Sequence, residues 1–132
     1  MAELRVVRPH ERDAGTAQTP GMAREAAVAA STVGARKLWT GYVSMGPGYR
    51  SAAHHHGPCE SSIYVISGRA RMRWGAKLEH VAEAGPGDFI FVPPDVVHQE
   101  INLDASETVE MIVSRDGQEN IVVNVDVAEA DE

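Results

Sequence analysis

The chain has 132 residues, 43% apolar and 23% charged, which suits one domain with one core. Twelve basic and nineteen acidic residues leave a net charge of −7, the wrong sign for nucleic acid or an anionic membrane surface as main partner. Cys59 is the single cysteine, so no disulfide forms within the chain; the longest apolar run, Ala26–Ala30, is far too short to span a bilayer.

The opening Met-Ala-Glu-Leu-Arg lacks the charged-then-apolar build of a signal peptide, so a cytoplasmic protein is the expectation. Residues 1–21 carry Pro9, Gly15, Pro20 and Gly21 among polar side chains and read as a loose arm, with one short strand at Leu4–Val7. Residues 22–127 form the domain proper, and 128–132, Ala-Glu-Ala-Asp-Glu, read as a frayed acidic tail.

From Gly34 onward, glycine and proline recur about every ten residues, and β-branched or aromatic runs fill the gaps: Ile63–Ile66, Phe89–Val92, Val109–Val113 and Ile121–Val127. This punctuation predicts an all-β sandwich or barrel. Arg69–Trp74 alternates basic with apolar residues, as a strand with one wet and one dry face does; its basic stripe is a solvated face or an anion site. Met22–Ala30 is rich in alanine, and local propensity favours a helix. It is short for an isolated helix and lacks a capping residue, so an extended strand paired with Lys37–Met45 is the expectation. Trp39, Trp74, Tyr42, Tyr64, Phe89 and Phe91 are expected in the core or the barrel wall.

Two stretches carry the chemistry. In Gly48–Gly68, His54 and His56 lie two apart, so on a strand they share a face while His55 points away. Glu60 follows the Gly57-Pro58 turn and could return a carboxylate to the same place. In Gly85–Asn102, His98 stands just beyond the rigid Pro93-Pro94 corner, and Glu100 shares its strand face, which makes Glu100 the candidate catalytic acid or base. Imidazole with carboxylate suits Zn, Fe, Mn, Ni or Cu without choosing among them.

Together the stretches resemble the paired signature motifs of the cupin superfamily. Gly48, His54, His56 and Gly68 fit the first motif, Gly87, Pro93, His98 and Asn102 the second, and the motifs with their spacer cover 55 residues. Two positions depart from the pattern. Glu60 is correctly spaced from His56 but one residue too far from Gly68, and counting back from Gly68 puts Ser61 at the ligand position. Either a bulge near Cys59–Ser61 turns Glu60 inward or the site has three histidines and an open fourth position. Asp95 replaces the usual glycine of the Pro-x-Gly corner, which Asp tolerates.

The resemblance implies a conical antiparallel jelly-roll barrel, or double-stranded β-helix, of the small bacterial type. It implies one divalent transition metal per chain (Zn, Fe, Mn or Ni) on His54, His56, Glu60 and His98. The expected activity is that of a small metalloenzyme of dioxygenase, isomerase or lyase type, acting on a small organic acid, phenolic or keto compound. The alternative is a non-catalytic metal- or small-ligand-binding cupin. A homodimer is also expected, because an open barrel leaves unpaired strand edges around Leu4–Val7 or Met22–Ala30.

Overall fold

The computed structural model describes residues 3–132. Their strands, in chain order, are β1 (Met22–Val28), β2 (Trp39–Met45), β3 (His54–His55), β4 (Ser61–Ser67) and β5 (Ala70–Trp74), then β6 (His80–Ala84), β7 (Phe89–Val92), β8 (His98–Asn102), β9 (Val109–Arg115) and β10 (Val123–Asn124). They pair antiparallel in two five-stranded sheets, β1-β2-β9-β4-β7 and β10-β3-β8-β5-β6. The fold is the all-β jelly roll that the punctuation and motifs predict. Helix among the described residues is confined to a 3-10 turn at Pro9–Glu11 and one turn, α1 (Ala30–Val33), so no helix there is long and apolar enough to cross a membrane.

Period two sets the core. On β2, Trp39, Gly41, Val43 and Met45 are buried while the residues between them reach the outside. Val43 and Met45 meet Met22, Ile63, Val65, Val109 and Met111 from the same sheet, and Ala70, Met72 and Ala84 from the other. The chain changes sheets at Gly68, whose φ is +84°; a Cβ there would stand 2.9 Å from the Val109 backbone. Glycine alone satisfies both demands.

The alanine-rich segment is extended, as expected: β1 pairs with β2 from Met22 opposite Met45 to Ala26 opposite Gly41. Strand pairing engages six of the seven β1 residues, which a helix this short does poorly. Only Ala30 departs, opening α1.

Four expectations are corrected. Leu4–Val7 is not a strand; Leu4 and Val6 are 90% and 58% exposed. The arm instead reaches the outer edge of β1 further on, where Asp13 bridges Ala26 and Thr19 bridges Met22. Within Ile121–Val127, only Val123–Asn124 pairs, against β3. Phe89 and Phe91 face outward at 73% and 63% exposure, because Ile90 and Val92 take the inward positions of edge strand β7. The acidic tail is docked: Glu129 pairs with Arg73 at 2.7 Å, and Glu132 with Arg50 at 2.9 Å and Arg71 at 3.7 Å. The basic stripe of β5 therefore holds the chain's own anions, leaving Arg73 only 1% exposed.

Candidate metal centre

Strand register brings the histidines together. His54 on β3 lies directly opposite His98 on β8, and same-face neighbours across a ladder touch. Their ring centroids are 4.4 Å apart, and His56 stands 4.9 Å from His54 and 5.1 Å from His98. His55 points away and accepts the Gly57 N–H on Nδ1, as its place in the alternation predicts. A backbone bond from Asp95 N–H to Gly57 C=O, 2.8 Å long, ties the turn after the first pair of histidines to the corner before the third. Asp95 adopts φ +61°, the left-handed conformation expected of it.

Each ring is oriented by main chain. Nδ1 of His54 lies 2.7 Å from Ala52 C=O, that of His56 2.8 Å from Ile121 C=O, and that of His98 2.9 Å from Val96 C=O. A carbonyl only accepts, so each Nδ1 carries the proton and each Nε2 presents a lone pair. Backbone carbonyls thus fix the tautomer in which imidazole binds metal through Nε2.

Glu100 completes the group that could hold a metal ion. One ligand atom from each of His54, His56, His98 and Glu100 lies within 4.8 Å of the others. Glu100 is placed by β8 and by Ser51, whose Oγ accepts the Glu100 N–H at 2.9 Å while its own N–H donates to Glu100 C=O. Its Oε1 is 3.7 Å from His98 Nε2, too long for a direct hydrogen bond. His98 Nε2 is buried with no hydrogen-bond partner. Three lone pairs and a carboxylate facing one another repel unless a cation lies among them, so the donor set fits a divalent metal.

Glu60 does not join this group. It is exposed, and its backbone N–H donates to Asp116 Oδ1 at 3.0 Å. No inward bulge forms, because β4 begins at Ser61, already paired with Val92 and Arg115. Ser61 faces the interior where the count from Gly68 put a ligand, and the carboxylate comes instead from β8. The sequence marked Glu100 as inward-facing but gave it a different task; the missed signal is the His-x-Glu pair on one strand face.

Charge follows geometry. Burial pushes the His54 and His56 imidazoles below their ordinary value. Burial pulls on His98 too, but Glu100 beside it outweighs that and raises it. For Glu100, burial would raise the carboxyl, yet His98 first and then His54 and His56 hold it well below the usual carboxylate range. The Glu100 carboxyl thus favours its anionic form, the form that ligates a cation.

His54, His56 and Glu100 border a cavity of about 260 Å³ between the sheets. Met22, Val43, Ile63, Met111 and Val113 give it apolar walls; Tyr49, Ser51, Ser61 and Arg24 add polar groups, and the Cys59 thiol also lines it. Asn102 stays out of it. Buried at 1%, Asn102 donates through Nδ2 to the Met45, Gly46 and Glu107 carbonyls and acts as a structural clasp.

The sequence of residues 41–115, more than half of the chain, matches the family described as Cupin domain. The chain belongs to the cupin family. Among solved structures, this cupin is similar to the polyketide cyclase RemF from Streptomyces resistomycificus, with TM-score 0.77 and 22% identity over 96% of this chain and 89% of that one. It is similar to recombinant oxalate oxidase in complex with glycolate, with TM-score 0.66 and 20% identity over 80% of this chain and 56% of the other. It also resembles oxalate decarboxylase from Bacillus subtilis, with TM-score 0.66 and 22% identity over 80% of this chain but 28% of that one. The cupin therefore spans only part of the last two proteins, and at these identities the likeness is one of fold. Its sequence finds no match among curated proteins.

Proposed function

We propose that this cupin binds one divalent transition metal per chain through His54, His56, His98 and Glu100, and works as a small metalloenzyme on a small organic acid, phenolic or keto compound. The observation that carries the reading is the set of three carbonyl-locked imidazoles whose Nε2 lone pairs converge with a carboxylate, one of them a buried nitrogen without a partner. Bound there, a divalent cation would supply Lewis acidity toward a substrate oxygen. The chain's own residues supply the rest: the apolar walls exclude water, Ser51 and β8 hold Glu100, and the cavity admits only a small molecule.

Equilibrium dialysis of untagged protein against Zn, Mn, Fe and Ni tests the site. One ion bound per chain is expected, and none of the four binding stoichiometrically would overturn the reading. Turnover is tested by mass spectrometry of small acids, phenols and keto compounds that raise the melting temperature of the loaded protein. Stabilising compounds recovered unchanged would make it a binding cupin.

The dimer belongs to the same proposal, with its face moved. Asp13 and Thr19 already occupy the outer edge of β1, whereas β7 presents a free edge with Phe89 and Phe91 exposed in a groove that Trp74 also lines. A second copy of this chain would cover that edge and its aromatic surface. Sedimentation equilibrium should give twice 14.2 kDa, reduced to the monomer by Phe91→Lys. A parent mass near 14.2 kDa would sink it.

A further inference from the structure

Beyond the four donors, the cavity wall carries one strong hydrogen-bond donor that no carboxylate of the described residues pairs with. Arg24 lies on β1 between Met22 and Ala26, two buried residues whose face it shares, and it lines the cavity. A guanidinium among apolar walls is costly unless paired. Among the described residues, no carboxylate lies within 4.0 Å of it. Its Nη1 donates to Thr19 Oγ1 at 2.9 Å, and its Nη2 to the Met22 sulfur at 3.2 Å, a weak acceptor.

The residue is nonetheless firmly placed. Gln18 Oε1 accepts the Arg24 N–H at 2.8 Å and Gln18 Nε2 donates to Arg24 C=O at 2.7 Å, so a carboxamide stands in for a neighbouring strand. Arg115, also in the cavity wall, differs. Its Nε and Nη2 donate to Gly117 and Gln118 carbonyls at 3.0 Å, Nη1 reaches Asn120 Oδ1 at 3.4 Å, and its plane lies over Trp39. Arg115 is spent on closing its loop; Arg24 has donors to spare. The acids in the same wall are Glu100, committed to the imidazoles, and Glu119, exposed at the rim.

We infer that Arg24 is the anchor for a carboxylate on the cavity's ligand. Arg24 stands in one sheet and His54 and Glu100 in the other, with His56 one residue beyond β3, so a small carboxylate held by Arg24 presents its remaining atoms to them across the cavity. The planar guanidinium matches a carboxylate in shape and charge, and the small cavity excludes bulkier anions. This selects the organic acid among the substrate classes proposed above, and it rests on that reading only for the far end of the ligand.

Benzoate and its uncharged isostere benzamide serve as probes, titrated calorimetrically into the full chain, metal-free and zinc-loaded. Benzoate should bind both forms better than benzamide. Arg24→Gln should weaken benzoate by about tenfold or more and leave benzamide unchanged, while Arg24→Lys, which keeps the charge but loses the fork, should fall between. Benzoate affinity that ignores Arg24→Gln, or parent protein that binds the two probes equally or binds neither at millimolar concentration, overturns the inference. Should Arg24→Gln fail to melt cooperatively, the parent's preference for benzoate and its loss in Arg24→Lys decide. Zinc failing to bind while benzoate remains dependent on Arg24 would defeat the metal reading alone. Benzoate binding only to zinc-loaded protein, whatever stands at 24, would defeat the anchor alone.

Discussion

Replacing Glu100 by glutamine removes the one carboxylate among the four donors while keeping its size and its carbonyl oxygen. A charge at the centre of four atoms no more than 4.8 Å apart is about 3 Å from each. At an effective dielectric of about 20, Coulomb attraction there is roughly 5.5 kcal/mol per unit charge, or about 11 kcal/mol for a divalent ion. Against this, the variant no longer carries the cost of a buried carboxylate, several kcal/mol, and the amide oxygen still reaches the ion. A net loss of about 3 kcal/mol remains, roughly a hundredfold in affinity. Competition of the metal-free protein with a chromophoric chelator for zinc measures it. Glu60→Gln, altering an exposed side chain outside the group, should stay within about twofold of the parent. Parental zinc affinity in Glu100→Gln, or an equal loss in Glu60→Gln, would refute the assignment of the fourth donor.

The same variant reports on the imidazoles. In the metal-free parent, proton NMR should find His98 titrating above the ordinary imidazole value and His54 and His56 below it. In Glu100→Gln burial, the largest influence on His98, is opposed only by its bond to Val96 C=O, so it should fall below that value as well. Asn102→Ala breaks the clasp on three carbonyls and should cost about 2–4 kcal/mol in urea unfolding, with zinc stoichiometry retained by the folded fraction. At φ +61°, Asp95→Gly should be neutral or stabilising by up to about 1 kcal/mol, whereas Asp95→Val should lose about 1–2 kcal/mol, both read from thermal melts.

The sequence made the three histidines legible because strand alternation and a proline corner are local facts. His54 and His56 need only period two, and His98 needs only the rigidity of Pro93-Pro94. Glu60 failed for a reason also visible in the sequence: two counts along the chain disagreed, and the pairing of Ser61 with Val92 and Arg115 decided between them. No local pattern carries that information. The run Phe89-Ile-Phe-Val reads equally well with either face inward, and Ile90 and Val92 took the interior. The docking of the tail was out of reach for a similar reason. Glu129 and Glu132 find arginines 56 to 82 residues earlier, and an acidic terminus shows nothing of such distant partners.

Main-chain carbonyls orient all three imidazoles, two of them from residues only two positions earlier, Ala52 and Val96. No side chain of the cavity wall takes part in that support. For an engineer this separates two tasks that most binding sites entangle. Met22, Val43, Ile63, Met111 and Val113 can be varied together to reshape what the cavity admits, because the scaffolding of the imidazoles is written in backbone that such substitutions do not touch. A library built on those five positions should retain zinc in nearly every member that folds, while its small-molecule preferences diverge.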